Sequence, residues 1–336
     1  MLRLIAALVC CSLLALAGCG AENTGKTVKP NKELVLYSEL EPEFTQDLIA
    51  EYNKQEEKDS GKEGGKVLLR AVYELKPGAP QPDIVLAERR TLNGLKLDGM
   101  LKPAAFAAGD SLPQKFYDGG RLWYGAFYDP AVLLVNQQYA REIGQENIRN
   151  WSDLENLSGC RLVMENLSDS NSTRNFLAGM ADKMGETISL NYFWNLHNNV
   201  IQYTKFPFTS VRMTAVGDAD VALTRQSYVF KYLDNKFPAY VVHPAEGAPV
   251  NLYCLGLFRG CANDGAAVDF IRWVMFSEAV QRVSQKNSTG FMFLFPRGEE
   301  AGPVNPQLLW LNDSYLTAAG QDALVKKWLD KVRFSK

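Results

Sequence analysis

The sequence predicts an α/β protein built from two lobes. Short apolar segments alternate with segments whose apolar residues recur at helical spacing, a pattern typical of a largely parallel sheet covered by helices. The chain has 336 residues, and this length suits two domains better than one. Extended structure returns at residues 251–258 after a helix-rich middle, so we expect strands that cross between the two lobes.

The folded region is predicted to begin with a strand, a turn and a helix. Residues 34–37 form a short apolar strand, residues 38–41 turn, and Pro42 suits the first position of a helix. The apolar positions of that helix share one face; they are Phe44, Leu48, Ile49 and Tyr52.

Two further strands complete the first half of the prediction. Residues 53–66 are rich in Lys, Glu and Gly and predict a solvated loop. Strands follow at residues 67–73 and 83–86, and the second leads into a helix that carries Leu92, Leu95 and Leu97.

The middle of the chain repeats this alternation. The predicted elements are extended residues 125–136 interrupted by Pro130, a short helix at 151–154, a strand at 162–164, and a helix carrying Phe176, Leu177, Met180 and Met184. A polar stretch, residues 166–173, precedes that last helix. Later strands are expected at 221–224, 240–243 and 251–258, and an amphipathic helix at 266–284.

The amino terminus resembles the export signal of a bacterial lipoprotein. Leu16, Ala17, Gly18 and Cys19 follow a short apolar run and look like a lipobox. The run is too short to span a bilayer, which needs ~20 apolar residues. We therefore expect lipidation of Cys19, palmitate included, and attachment at the periplasmic or extracellular face of the bacterial cell envelope.

The predicted organisation follows from these observations. The divisions are a signal peptide (1–18), a lipidated flexible tether (19–32), the first part of lobe 1 (33–130), lobe 2 (131–248), the second part of lobe 1 (249–300) and a C-terminal helical segment (301–336).

Composition argues against a nucleic-acid partner. The net charge of -2 argues against a polyanion such as nucleic acid. With 46% hydrophobic and 22% charged residues, the chain has an ordinary globular composition, and nothing in it indicates a cofactor or a metal.

Three cysteines lie beyond the signal peptide and the anchor: Cys160, Cys254 and Cys261. At most one disulfide can therefore form, and whether Cys254 pairs with Cys261 stays open.

Several blocks resemble the type II periplasmic solute-binding proteins of ABC importers. They occur in the family's order at residues 34–41 (LVLYSELE), 82–85, 97–101, 150–154, 166–185 and 263–281. The closest branch includes binders of iron(III) and of 2-aminoethylphosphonate. Residues 196–199, 202–204 and 213–218 resemble its phosphonate side.

The resemblance implies a two-lobed fold that closes on a small-molecule ligand in a cleft. It further implies delivery of that ligand to an ABC permease in the inner membrane, and no enzymatic activity. We expect a monomer.

Candidate ligand-binding residues follow from the rule that ligands bind beyond the carboxyl ends of strands in open α/β sheets. They lie in four loops and are Tyr37, Ser38, Glu39, Glu88, Ser170, Ser172, Thr173, Arg225 and Tyr228. Residues 170–173 precede a helix and either donate to a bound oxyanion or only cap the helix. They lack the two glycines of the family's Ser-Gly-Thr-Gly segment.

Arg225 is the predicted cation for a ligand anion, unless it lies on the surface. Tyr37 and Tyr228 could line the cleft, and Glu39, Glu41 or Glu88 could hold a ligand ammonium. These roles favour a small anionic or zwitterionic solute, phosphonate or organophosphate-like.

Other readings stay open. Iron binders of the family commonly use two adjacent tyrosines, whereas residues 227–230 read Ser-Tyr-Val-Phe, so iron(III) is the less favoured ligand. Polyamines, thiamine and sugar phosphates are further alternatives. An envelope hydrolase is disfavoured because only two histidines, His197 and His243, are present. A receptor lipoprotein that signals to a membrane partner is a third possibility.

Overall fold

The computed structural model describes residues 32–59, 67–75, 80–104, 106, 112–144, 148–233, 236–295 and 304–335. The predicted signal peptide, Cys19 and nearly all of the tether lie outside these residues.

The elements alternate along the chain as predicted. The strands are β1 (Lys32–Ser38), β2 (Val67–Val72), β3 (Ile84–Glu88), β4 (Leu101–Lys102), β5 (Trp123–Asn136), β6 (Leu162–Glu165), β7 (Val200–Thr204), β8 (Val221–Arg225), β9 (Ala239–Val242), β10 (Ala248–Phe258), β11 (Met292–Phe293) and β12 (Leu309–Trp310). The helices are α1 (Pro42–Asp59), α2 (Arg89–Leu97), α3 (Gln137–Ile143), α4 (Asn171–Met184), α5 (Glu186–His197), α6 (Pro207–Val216), α7 (Gln226–Tyr232), α8 (Asp264–Phe276), α9 (Glu278–Lys286) and α10 (Ala318–Trp328). Short 3₁₀ turns cover Gln114–Phe116, Trp151–Asn156 and Pro306–Leu308, and a π-helical turn covers Leu329–Arg333.

The first lobe is built on the strand order β2-β1-β3-β10-β5. Strand β1 pairs in parallel with β2 and β3, and β10 lies antiparallel between β3 and β5. One hydrophobic cluster fills this lobe with residues from 34–128 and 250–311.

The second lobe continues from the other half of β5. There β5 pairs antiparallel with β8 and β9, and β6 lies parallel between β8 and β7. Its two clusters draw on residues 131–248 and 310–332. The two-lobed α/β prediction is confirmed, whereas the exact domain boundaries stay a prediction.

Strands β5 and β10 cross between the lobes. All 14 residues of β5 are buried, and Pro130, predicted to interrupt it, lies inside the continuous strand. Pro130 pairs with Val250 of β10, and the next residue, Ala131, pairs with Arg225 of β8. Proline lacks an N–H group, and it is tolerated here because β5 changes partners at this point.

Two other local predictions are wrong. Helix α1 extends to Asp59, so residues 53–59 are helical; Lys and Glu are good helix formers, and Asn53 bonds to the backbone of Leu69 in β2. The single helix predicted at 266–284 is two helices, because Ser277 is extended and its hydroxyl accepts from the Ala279 N–H at 3.2 Å to begin α9.

The three cysteines outside the signal region, Cys160, Cys254 and Cys261, are free and buried. Within the described ranges no helix is both long and apolar enough to span a membrane.

Candidate functional site

A cavity of about 170 Å³ lies between the two lobes. Lobe 1 and the crossing strands contribute Glu39, Leu40, Glu41, Phe44, Asp129, Tyr253, Asn287, Thr289 and Phe291, and lobe 2 contributes Ser172, Ser227, Tyr228 and Lys231. Four residues singled out from the sequence are therefore in its lining: Glu39, Glu41, Ser172 and Tyr228. Of the other candidates, Glu88 lines a separate cavity, and Thr173 and Arg225 line another. Tyr37, Ser38 and Ser170 are in none of these three linings.

Ser38 stabilises the turn between β1 and α1. It is 1% exposed, its hydroxyl lies 2.8 Å from that of Thr45, and it accepts from the Leu40 N–H at 3.1 Å. These bonds fix the turn into α1, and they leave the hydroxyl facing the protein interior.

Tyr37 and Glu39 join this loop to the start of α2. The Tyr37 hydroxyl donates to Glu39 at 3.4 Å, and burial together with the Glu39 charge raises the pKa of Tyr37 to about 12. Glu39 also accepts from the Glu88 N–H at 3.0 Å and from the Thr91 hydroxyl at 2.7 Å. Because these N–H and O–H donors are neutral, they orient the carboxylate without neutralising its charge.

Ser170 and Thr173 cap helix α4. Ser170 Oγ accepts from the Thr173 N–H at 3.1 Å, and Thr173 Oγ1 accepts from the Ser170 N–H at 3.2 Å. This reciprocal capping box matches the simpler of the two predicted roles. Ser172, between them, accepts from Asn251 Nδ2 at 3.0 Å and faces the cavity.

Arg225 is buried, with 5% of its surface exposed, so it is not a surface arginine. Its Nη2 donates to the Ser172 carbonyl oxygen, and its Nη1 is buried without a partner among the described residues. A smaller cavity of about 20 Å³ adjoins Arg225 and is lined also by Glu165, Thr173 and Thr224. Thr224 Oγ1 is likewise buried and unpartnered within the described chain.

Three carboxyl groups interact electrostatically with the Arg225 guanidinium: those of Glu88, Asp129 and Glu165. Burial raises the pKa of Glu88 and of Glu165 to about 7, against the attraction of Arg225. Burial also raises the pKa of Asp129, opposed by Arg225 and by the Ser227 hydroxyl and N–H, which donate at 2.6 and 3.0 Å. The site thus holds more acid than base and can take up protons near neutral pH.

Sequence reasoning missed Asp129, Glu165 and Asn251. Each is a polar residue in a strand whose other residues are mostly apolar and buried. Asp129 and Asn251 interrupt their strands and Glu165 ends its strand, and these polar positions are the signal that could have found them. Asn251 and Asp129 lie directly opposite each other on the crossing strands.

Asn251 links the lobes. Its amide donates to Glu88 of lobe 1 at 3.2 Å and to Ser172 of lobe 2 at 3.0 Å. Two contacts at the rim also join the lobes: Lys231 pairs with Glu41, and Arg90 donates to Asn171 at 2.6 Å. The lobes are therefore in contact across the cavity.

Aromatic rings form one side of the cavity, here called the aromatic wall: Phe44, Tyr253 and Phe291. The Phe291 ring lies 5.1 Å from that of Tyr253 and 5.8 Å from that of Phe44. Tyr228 approaches from lobe 2, and burial raises its pKa to about 12. Sequence reasoning assigned Phe44 to the core and did not single out Phe291, because residues 287–291 carry no strand or helix pattern.

A metal centre is not evident in the described part of the chain, where no three His, Cys, Asp or Glu side chains converge as ligands.

Sequence comparison identifies a distant relative. No protein-family model matches the sequence. An uncharacterized protein from Haemophilus influenzae is 25% identical over 214 residues, so the match spans 60% of this chain and 60% of the relative's length.

Solved structures match over nearly the whole chain. The periplasmic binding protein AfuA from Actinobacillus pleuropneumoniae, with exogenous fructose-6-phosphate bound, has a TM-score of 0.66 at 18% identity, covering 90% of this chain and 99% of that one. A Trichodesmium protein (IdiA, FutA) in complex with iron and citrate has a TM-score of 0.70 at 15% identity, covering 90% and 100%. The chain therefore has the fold of periplasmic binding proteins, and the predicted fold class is confirmed.

Proposed function

We propose that this protein is the solute-binding component of an ABC import system. It captures a small anionic or zwitterionic solute by closure of its two lobes and delivers it to a permease in the inner membrane. It acts as a monomer without enzymatic activity, held by a lipid on Cys19 at the periplasmic or extracellular face of the cell envelope.

The observation that carries the proposal is the cavity lined by both lobes. A solute in this cavity contacts Tyr253 and Phe291 on one side and Ser172 and Tyr228 on the other. Because a ligand that touches both walls binds the closed form better than the open one, it shifts the population toward closure. That behaviour is what a binding protein requires.

Arg225 supports an oxygen anion on the solute. A buried N–H without an acceptor is costly, and a ligand oxygen that enters the smaller cavity would satisfy Nη1. The three acids around Arg225 limit the negative charge that the site tolerates, so a single anionic group fits better than several. Both structural neighbours described above hold molecules with phosphate or carboxylate oxygens.

A thermal-shift screen of the full chain tests the proposal. The panel contains phosphonates, phosphate esters, amino acids, quaternary ammonium compounds, polyamines, thiamine, and iron(III) with citrate. A ligand at 100 times its Kd should stabilise the protein by ~2.7 kcal/mol, and mass spectrometry should recover it unchanged.

A pair of variants locates the site. Tyr228→Ala should abolish the shift, whereas Tyr232→Ala, on the exposed side of α7, should leave it unchanged. A hit that is chemically converted would point to an enzyme, and a hit that survives Tyr228→Ala would place binding elsewhere.

A further inference from the structure

We propose that the solute carries an alkylated ammonium group, such as trimethylammonium, and that this group lies against the aromatic wall of the interlobe cavity. The inference rests on the proposed function, because it specifies what the cavity holds. It is carried by the rings that line the cavity, the charge of its lining, and the hydrogen bonds that its carboxylates already make.

The rings offer a surface suited to a cation. Phe291 contacts Phe44 edge to face and Tyr253 in a tilted arrangement, and Phe127 stacks on Phe291 at 5.0 Å. Aromatic faces carry negative electrostatic potential, and a cation within ~6 Å of a ring is attracted to it. Because the wall is packed before any ligand arrives, its rings lose little freedom on binding.

The charged lining residues have an excess of negative charge. Lys231 is paired with Glu41, which leaves Glu39 and Asp129 without an ion-pair partner within 4 Å among the described residues. Arg225 is not among the lining residues; its Nη2 donates to the Ser172 carbonyl oxygen, and its charge offsets part of that of Asp129, whereas Glu39 is not offset in this way. The potential inside the cavity therefore favours a positive group.

The hydrogen bonds of these carboxylates favour an alkylated cation over a primary ammonium. Of about four lone-pair sites on a carboxylate, Glu39 already uses three, accepting from Tyr37, Glu88 and Thr91. Asp129 uses two, both on Ser227, so the sites that remain are divided between two separate carboxylates. A primary ammonium brings three N–H donors that each need an acceptor when buried. A trimethylammonium group has no donor to satisfy, so it gains from the potential without that cost.

The test compares matched ligands on the full chain by isothermal titration. Glycine betaine, glycine and 3,3-dimethylbutanoate share a carboxylate and differ only in carrying trimethylammonium, ammonium or neutral tert-butyl. Phosphocholine, phosphoethanolamine and 3,3-dimethylbutyl phosphate form the same series with a phosphate. In at least one series, the trimethylammonium compound should bind at least tenfold tighter than both others.

A variant pair adds a check on the wall itself. Phe291→Leu keeps an apolar side chain but removes the π face, so affinity for the trimethylammonium compound should fall about fivefold while affinity for the tert-butyl compound changes less than twofold. Phe276→Leu is the control, because Phe276 packs on Phe295 at 4.3 Å and is not among the lining residues.

The outcomes separate this inference from the proposed function. Equal affinity for the cation and its neutral isostere, or preference for the primary ammonium, overturns the inference. So does silence in both series, while a hit elsewhere in the wider panel leaves the solute-binding proposal standing. Silence throughout the wider panel overturns both.

Discussion

Replacing Glu165 with glutamine should stabilise the ligand-free protein at alkaline pH and leave it unchanged at acidic pH. Glu165 is 9% exposed at the end of β6, and burial raises its pKa from 4.5 to about 7, only partly offset by Arg225. One pKa unit is worth about 1.36 kcal/mol, so ionising Glu165 in the folded state costs on the order of 3 kcal/mol.

The direction of the pH dependence follows from linkage. The folded state binds the Glu165 proton more tightly than the unfolded state does, so this contribution to stability is fully present below pH 4.5 and is lost as the pH rises through about 7. Glutamine keeps the shape of the protonated acid and does not ionise. The gain from Glu165→Gln should therefore be near zero at pH 4.5 and approach its maximum above pH 8.

Thermal unfolding of the ligand-free protein at pH 4.5 and 8.5 measures this effect. The expected gain at pH 8.5 corresponds to a rise in Tm of about 5 °C or more. Glu278→Gln is the control, because Glu278 is exposed on α9, and it should change stability by less than ~0.5 kcal/mol at both pH values. A gain that is equal at both pH values, or a loss at pH 8.5, would refute the assigned burial of an ionisable carboxyl group.

Three other predictions follow. Arg225→Ala should weaken solute binding at least tenfold. It should also destabilise the ligand-free protein by about 3 kcal/mol or more, with the larger loss above pH 7, because buried carboxylates lose their cation. Calorimetry at two pH values measures this loss of stability, and an unchanged stability of the ligand-free protein would contradict the prediction. Cys19→Ser should move the protein from the membrane to the soluble fraction, and membrane retention of the variant would contradict lipidation. Lys231→Ala should destabilise the closed form relative to the open form by less than ~1 kcal/mol, since the ion pair of Lys231 with Glu41 is at the exposed rim. Small-angle scattering should show a modest expansion of the ligand-free protein. Wide opening would instead mean that this ion pair controls closure.

The fold was largely predictable from sequence because each lobe depends on local patterns. Strand β1, the turn after it and Pro42 at the start of α1 follow from apolar runs and from proline's fixed geometry. Helix α1 was underestimated because its last turns are held by Asn53 bonding to Leu69, a contact that no sequence period reveals. The predicted interruption of the strand at Pro130 was wrong for a similar reason. Pro130 is accommodated because β5 changes its strand partner there from β10 to β8, and both partners lie far along the chain.

The candidate site was predictable only where it follows the general rule about strand ends. That rule located Glu39, Ser172 and Tyr228 in the lining. It could not foresee that Ser38 turns inward to Thr45, because this depends on where α1 packs. Nor could it bring Phe291 to the cavity, since that residue lies in an irregular segment whose position is set by stacking on Phe127.

The crossing strands explain how a binding event in the cavity can reach both lobes. Asp129 on β5 and Asn251 on β10 are directly paired, and each sends its side chain to groups on the cavity's edge: Asp129 to Ser227, and Asn251 to Glu88 and Ser172. The rim contacts are exposed and worth little. The bonds of Asp129 and Asn251 are partly buried, and their loss would leave polar groups unsatisfied. We therefore expect closure to be governed at the crossing strands, where a solute in the adjoining cavity would add its own contacts to the same arrangement. The balance between the open and closed forms should respond more strongly to Asn251 than to any single residue of the rim.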